Sequence, residues 1–224
     1  MKHFLILLVL FASWANAQEN DSIPAHVLEK ITYPVLDMHP YMGVMDMEFS
    51  AMKYDPQLDY KIAFDLYDKS KDSTQVNATL VEVGRIYNLH RANGVPKEKL
   101  KMVAVIHGMT TNAILTDQAY QDKYGVPNPN IPVMEALKEE GVDFVVCSQI
   151  MGFFNIPNED IHPIVDVAIS AKTALVMFDQ MGYSYMNVNE WLVRGHSMIL
   201  VSGERWGDGL RALFISRYSL IEIE

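Results

Sequence analysis

One cysteine, Cys147, stands in a chain of 224 residues. A single thiol closes no disulfide within the chain and builds no multi-cysteine zinc site. Basic residues are also scarce: Lys+Arg is 18 against Asp+Glu 28, a formal charge of −10. Such an acidic surface repels phosphate backbones, which excludes non-specific nucleic-acid binding. Neither G-x-G-x-x-G nor G-x-x-x-x-G-K-[ST] occurs, so no nucleotide cofactor is expected. The G-x-S-x-G elbow of many hydrolases is missing too. His90, His162 and His196 fall in separate segments without ligand spacing, so neither a metal nor any other cofactor is expected. With 10 Pro and 12 Gly, collagen-like and low-complexity readings also fall.

The chain opens on a pattern of its own. Lys2 precedes the apolar run from Phe4 to Ala12, and Ala15-Asn16-Ala17 is an A-x-A cleavage signature. Residues 1–17 therefore read as a secretory signal peptide, too short for a permanent membrane anchor. No cysteine stands directly after the cleavage point, where Gln18 follows Ala17, and no later stretch of 18 apolar residues exists. The expectation is an exported protein with no membrane attachment after cleavage. In an exported compartment, commonly oxidising, a lone thiol stands out.

Residues 18–57 hold Pro24, Pro34, Pro40 and Pro56, which interrupt any long helix and predict an irregular lead-in. Met38, Met42, Met45, Met47 and Met52 crowd the same segment. Without a repeating His-Met or Cys-Met spacing, they read as packing residues rather than soft-metal ligands.

Regular structure is expected from residue 58 to residue 188. Lys61 to Leu66 reads as a strand. Ser73 or Thr74 then caps a helix through Val76, Leu80, Val83, Tyr87 and Leu89, which stops at Asn93-Gly94. Met102 to Ile106 is a continuous apolar run, suited to a parallel strand buried on both faces. A polar loop and short helix span Thr110 to Tyr124. A further helix starts at Asn130 as N-cap, with Pro132 in its first turn and Gly141 as its stop. Val142 to Cys147 and Ile164 to Ile169 are the next strands. A helix through Ala174, Leu175 and Phe178 leads to a final strand at Tyr183 to Met186. This alternation predicts an α/β fold with a five-stranded, mostly parallel sheet.

Ligands of such sheets bind beyond the carboxyl ends of the strands. His107-Gly108, Cys147-Ser148-Gln149 and Ser170 all reach that edge. Cys147 is either a nucleophilic thiolate or a small buried hydrophobe. His107 is either a general base or a structural residue. Asn77-Ala78-Thr79 matches a glycosylation sequon, but it falls within the expected helix. From Glu190 the composition shifts: four of the six arginines (Arg194, Arg205, Arg211, Arg217) gather in a tail without Lys, Pro, Asn or Gln. Residues 189–224 therefore read as an extension, forming a hairpin or an oligomer arm.

Several segments carry a resemblance. They are Tyr87-Asn88-Leu89-His90-Arg91-Ala92-Asn93-Gly94-Val95, Val105-Ile106-His107-Gly108, and Tyr124-Gly125-Val126-Pro127-Asn128-Pro129-Asn130. Gly141-Val142-Asp143-Phe144-Val145-Val146-Cys147-Ser148-Gln149 and Val167-Ala168-Ile169-Ser170-Ala171-Lys172-Thr173-Ala174, ending at Gly182-Tyr183, complete the set. In this order they resemble the DsrE/DsrF-like family, and its exported members in particular. The resemblance implies a three-layer α/β/α domain over residues 58–188, assembled as a homo-oligomer, a trimer or hexamer. It also implies a sulfur carrier or sulfurtransferase, in which Cys147 bears a persulfide exchanged with a donor or acceptor protein. His107 and Gln149 would orient the carried group. The alternative is a non-catalytic oligomeric module of the same fold that binds a small ligand or a protein. One departure bears on the site: Ser148 stands where the family pattern has glycine, and its side chain restricts backbone approach to a bound sulfur.

Overall fold

The computed structural model describes residues 23–45, 47 and 50–189, together with two strand segments, 214–216 and 219–221. The signal-peptide reading of residues 1–17 lies outside the described residues. So do His196 and the tail arginines.

Five parallel strands form the central sheet: β1 (Tyr60–Leu66), β2 (Leu100–Ile106), β3 (Val142–Cys147), β4 (Val165–Ala168) and β5 (Ser184–Asn187). Their spatial order is β4-β3-β2-β1-β5. The chain therefore steps one way from β1 to β4 and then returns across the whole sheet to place β5 beside β1. Right-handed crossovers make that reversal visible in the layers. The helices of the forward steps share one face: α1 (Ala78–Ala92), α3 (Ile131–Glu139) and the short α4 (Ser148–Phe154), whose residues join the main core. Between β2 and α3 the chain also forms a 3-10 segment, Gly108–Ile114, and the helix α2 (Asp117–Tyr124). The return helix α5 (Ala171–Gln180) lies on the opposite face and touches all five strands. The three-layer α/β/α fold with a five-stranded parallel sheet is thus present.

Strand alternation sorts the side chains. Ile62, Phe64 and Leu66 of β1 join Met102, Ala104, Ile106, Phe144 and Val146 in the large core beneath α1 and α3. Each large apolar side chain fully buried there contributes about 1.5–3 kcal/mol. The opposite face is built of small residues. Ala63, Val103, Val105 and Cys147 meet Ala171 and Ala174 of α5, which allows the helix to lie close to the sheet.

The residues around α1 and α3 depart from the expected caps. Asn77, not Ser73 or Thr74, caps α1: its Oδ1 accepts from Thr79 N at 2.9 Å. Thr74 is drawn instead into a turn upstream, where its N–H donates to Asp72 Oδ1 at 2.8 Å. Asn130 occupies the N-cap position of α3 but makes no cap bond. Its Oδ1 accepts from Asn77 N at 2.7 Å and its Nδ2 donates to Asn128 Oδ1 at 2.8 Å. It therefore ties the starts of two helices together. Because Asn77 is buried and hydrogen-bonded, its match to a sequon has no accessible amide behind it.

The described part of the lead-in contains a two-residue antiparallel pairing of Ile31–Thr32 with Val44–Met45. Asn88 of α1 anchors it by accepting from Leu36 N at 3.0 Å and donating to Leu36 O at 2.8 Å and Met42 O at 2.9 Å. Met42 is fully buried against Gly84, where a Cβ would sit 2.8 Å from the methionine methyl. The packing role expected of the whole methionine group holds for Met42 alone. Met38, Met45, Met47 and Met52 are exposed. Met45 and Met47 line an apolar groove of about 530 Å³ beside Val27, Ile31 and Leu89. In the tail, Phe214–Ser216 pairs antiparallel with Ser219–Ile221, so the extension contains a hairpin.

Candidate functional site

At the carboxyl edge of the sheet, on the face carrying α5, a polar cluster interrupts the small apolar residues. Asp65 is the penultimate residue of β1 and is mostly buried. His107 directly follows β2, and its N–H continues the ladder to Leu66 O at 2.9 Å. The His107 Nε2–H donates to Asp65 Oδ1 at 2.7 Å. Tyr185 of β5 donates its O–H to Asp65 Oδ2 at 2.8 Å. Three neighbouring strands thus converge on one carboxylate, each with a side chain on the same face.

The electrostatics follow from those contacts. Burial pushes the Asp65 carboxyl up, but the hydrogen bonds from His107 and Tyr185, with the imidazole charge, outweigh it and hold the group below its ordinary range. Burial, followed by the hydrogen bond to the Asp65 carboxylate and its charge, pushes the Tyr185 phenol up to about 12. The cluster is braced from behind. Asn189 Nδ2 donates to Asp65 O at 2.8 Å, while its Oδ1 accepts from Tyr67 N at 2.7 Å and Asp68 N at 3.1 Å. Gly108, with φ of +54°, lets the chain turn sharply after His107. A Cβ there would lie 2.9 Å from Tyr67 O.

Cys147 ends β3, and its side chain packs in the small-residue cluster under α5, only 7% exposed. Ile106 pairs with Val146, so one step further along the ladder brings His107 level with Cys147. No hydrogen bond joins the two side chains among the described residues. Gln149 is exposed on α4 and makes no hydrogen bond among the described residues. The structure therefore brings His107 and Cys147 to one edge and leaves Gln149 apart from the Asp65 cluster. Ser148 donates its O–H to Ile169 O at 3.0 Å, which fastens α4 to the loop after β4. Ser170 caps α5 by accepting from Thr173 N at 3.1 Å.

Asp65 and Tyr185 were not singled out by the sequence reading. Asp65 had a usable signal: a carboxylate inside the run Ile62-Ala63-Phe64-Asp65-Leu66, in a strand whose neighbours are buried, demands a partner. Tyr185 had none, because only the return of β5 to the side of β1 brings it near. Among the described residues, no group of three or more His, Cys, Asp or Glu side chains is arranged to hold a metal ion. No helix among them is long and apolar enough to cross a membrane.

The polar cluster thus lies at the carboxyl edge of an open parallel sheet, the edge at which such sheets commonly take ligands. The chain belongs to the DsrE/DsrF-like family, whose model matches residues 61–188. Among solved structures it is similar to a protein of unknown function from Methanobacterium thermoautotrophicum. The two share 22% identity with a TM-score of 0.43 over 58% of this chain and 99% of that one. No curated protein matches it.

Proposed function

We propose that this protein is an exported, non-catalytic, oligomeric binding module of the DsrE fold that receives its ligand at the carboxyl edge of the sheet. The burial of its only thiol carries the reading. Cys147 Sγ lies among Ala63, Val103, Val105, Ala171 and Ala174, where α5 shields it from a partner thiol, and sulfur transfer requires that access. The accessible chemistry of the same face is the Asp65–His107–Tyr185 cluster instead. Self-association is supported by α5, which presents Val176 and Met177 outward, 62% and 55% exposed.

The test combines two measurements on the protein purified from an export-competent host. Light scattering gives the mass in solution, expected as a multiple of the chain, and Val176→Glu with Met177→Glu is expected to lower it. A monomeric wild type contradicts the reading. Intact mass is expected to show an amino terminus at Gln18, and an unprocessed chain in the exported fraction contradicts the export claim.

A sulfur-carrier function is the second reading, favoured by one observation: Ile106 and Val146, the residues just before His107 and Cys147, pair in the ladder. Treatment with a persulfide donor followed by intact mass decides between them. An adduct of one sulfur atom, lost in Cys147→Ser, supports the carrier, and its absence supports the binding module.

A further inference from the structure

The Asp65 cluster leaves particular atoms unused. Its carboxylate accepts from His107 Nε2–H and from Tyr185 O–H, so both oxygens are engaged. That bond fixes the neutral imidazole in the tautomer with the proton on Nε2 and a bare lone pair on Nδ1. The Nδ1 atom has no partner among the described residues, and the side chain is one-third exposed. Beside it stands the Tyr67 ring, with centroids 5.3 Å apart. Tyr67 Oη accepts from Asn187 Nδ2 at 3.3 Å, which leaves its own proton to donate. The edge therefore offers one acceptor and one donor next to an aromatic surface, in the region where open α/β sheets bind ligands.

We infer that His107 Nδ1 and Tyr67 O–H form a binding site for an uncharged small molecule bearing a primary amide, with Asp65 and Tyr185 as positioning residues. The complement of a neighbouring acceptor and donor is a group that carries N–H and C=O together, and an amide is the simplest one. Anions are disfavoured by the Asp65 carboxylate directly behind the imidazole and by the formal charge of −10. A cation would have to share a carboxylate that is mostly buried and whose two oxygens each already accept a hydrogen bond. A purely structural role explains the Asp65–His107 pair, but it predicts no ligand response at Nδ1.

This inference rests on the binding-module reading, and its experiment separates the two. Nitrogen-15 spectra of the histidine side chains are recorded on the whole protein at a pH where the imidazole is neutral, with His107→Gln providing the assignment. The expected spectrum shows His107 with the proton on Nε2, and Asp65→Asn releases that preference. Added benzamide shifts the Nδ1 resonance saturably. Benzoate, N,N-dimethylbenzamide and the Tyr67→Phe variant each weaken the effect about tenfold, the loss of one good hydrogen bond. Tyr67→Phe leaves the tautomer unchanged. A proton on Nδ1 overturns the inference. So does a benzamide response that is absent or equal to that of benzoate. If the solution mass shows an oligomer while benzamide has no effect, only this inference fails. A monomer removes the underlying reading as well.

Discussion

His107 Nε2 lies 2.7 Å from Asp65 Oδ1, across two adjacent parallel strands whose ladder pairs Asp65 with Val105. The imidazole thus reaches diagonally back along the sheet to the carboxylate two register positions behind it, past the Leu66–Ile106 pair. Its geometry follows from the strand register and from the turn at Gly108, so changes at either end of the pair have separable effects.

Replacing Asp65 with Asn changes how stability depends on pH. The carboxyl is held below its ordinary value of 3.8, so its contribution is fully present above that value. The contribution is lost as pH falls through the lower, folded-state value. The stability gap between wild type and Asp65→Asn is expected to shrink in acid, below about pH 4. Urea midpoints measured at a series of pH values check this, and a gap that widens in acid contradicts it.

Tyr185→Phe removes one of the two hydrogen bonds on the carboxylate while leaving the ring. A charge-assisted bond of this kind at a part-exposed site is worth about 1 kcal/mol. The variant should also lack one strongly alkaline phenol, which burial and the Asp65 carboxylate push up to about 12. Ultraviolet difference titration of wild type against variant is expected to show the missing absorbance only at the alkaline end.

Gly108→Ala meets two penalties at once, a positive φ and a contact of its Cβ with Tyr67 O. A cost of about 1–3 kcal/mol is expected from the strained backbone. Denaturant unfolding measures the loss. Accompanying shifts at His107 and Tyr67, rather than around Cys147, would show that the turn is what holds the polar cluster.

Asn88→Ala is expected to free the lead-in. Three buried hydrogen bonds hold Leu36 and Met42 against α1, and leaving their backbone groups unsatisfied costs at least about 2 kcal/mol. Limited proteolysis should then cut between residues 33 and 45 before the sheet domain unfolds.

The legible parts of this fold were those written in local patterns. Apolar runs at Met102–Ile106 and Val142–Cys147 marked buried parallel strands, and the second strand has those bounds in the structure. Caps were harder. Asn77 and Ser73 are both good capping residues, and a tertiary contact from Asn130 to Asn77 N helps set which position begins the helix. The strand pattern puts Cys147 and His107 at one edge, and Ile106 and Val146, the residues just before His107 and Cys147, pair in the ladder. The sequence reading missed the carboxylate beneath the imidazole, because Asp65 and Tyr185 are 120 residues apart and meet only through the long return of β5. The role of Cys147 was open for a related reason. Exposure at a strand end depends on what covers it, and the cover is α5, which packs closely because its inward residues Ala171 and Ala174 are small.

The most direct test is the reaction of Cys147 with a thiol reagent, followed by intact mass in the native and the denatured state. A packed thiol predicts negligible labelling of the folded protein and complete labelling after denaturation. Rapid, stoichiometric labelling of the folded protein would contradict the binding-module account and return the thiol to the centre of the chemistry.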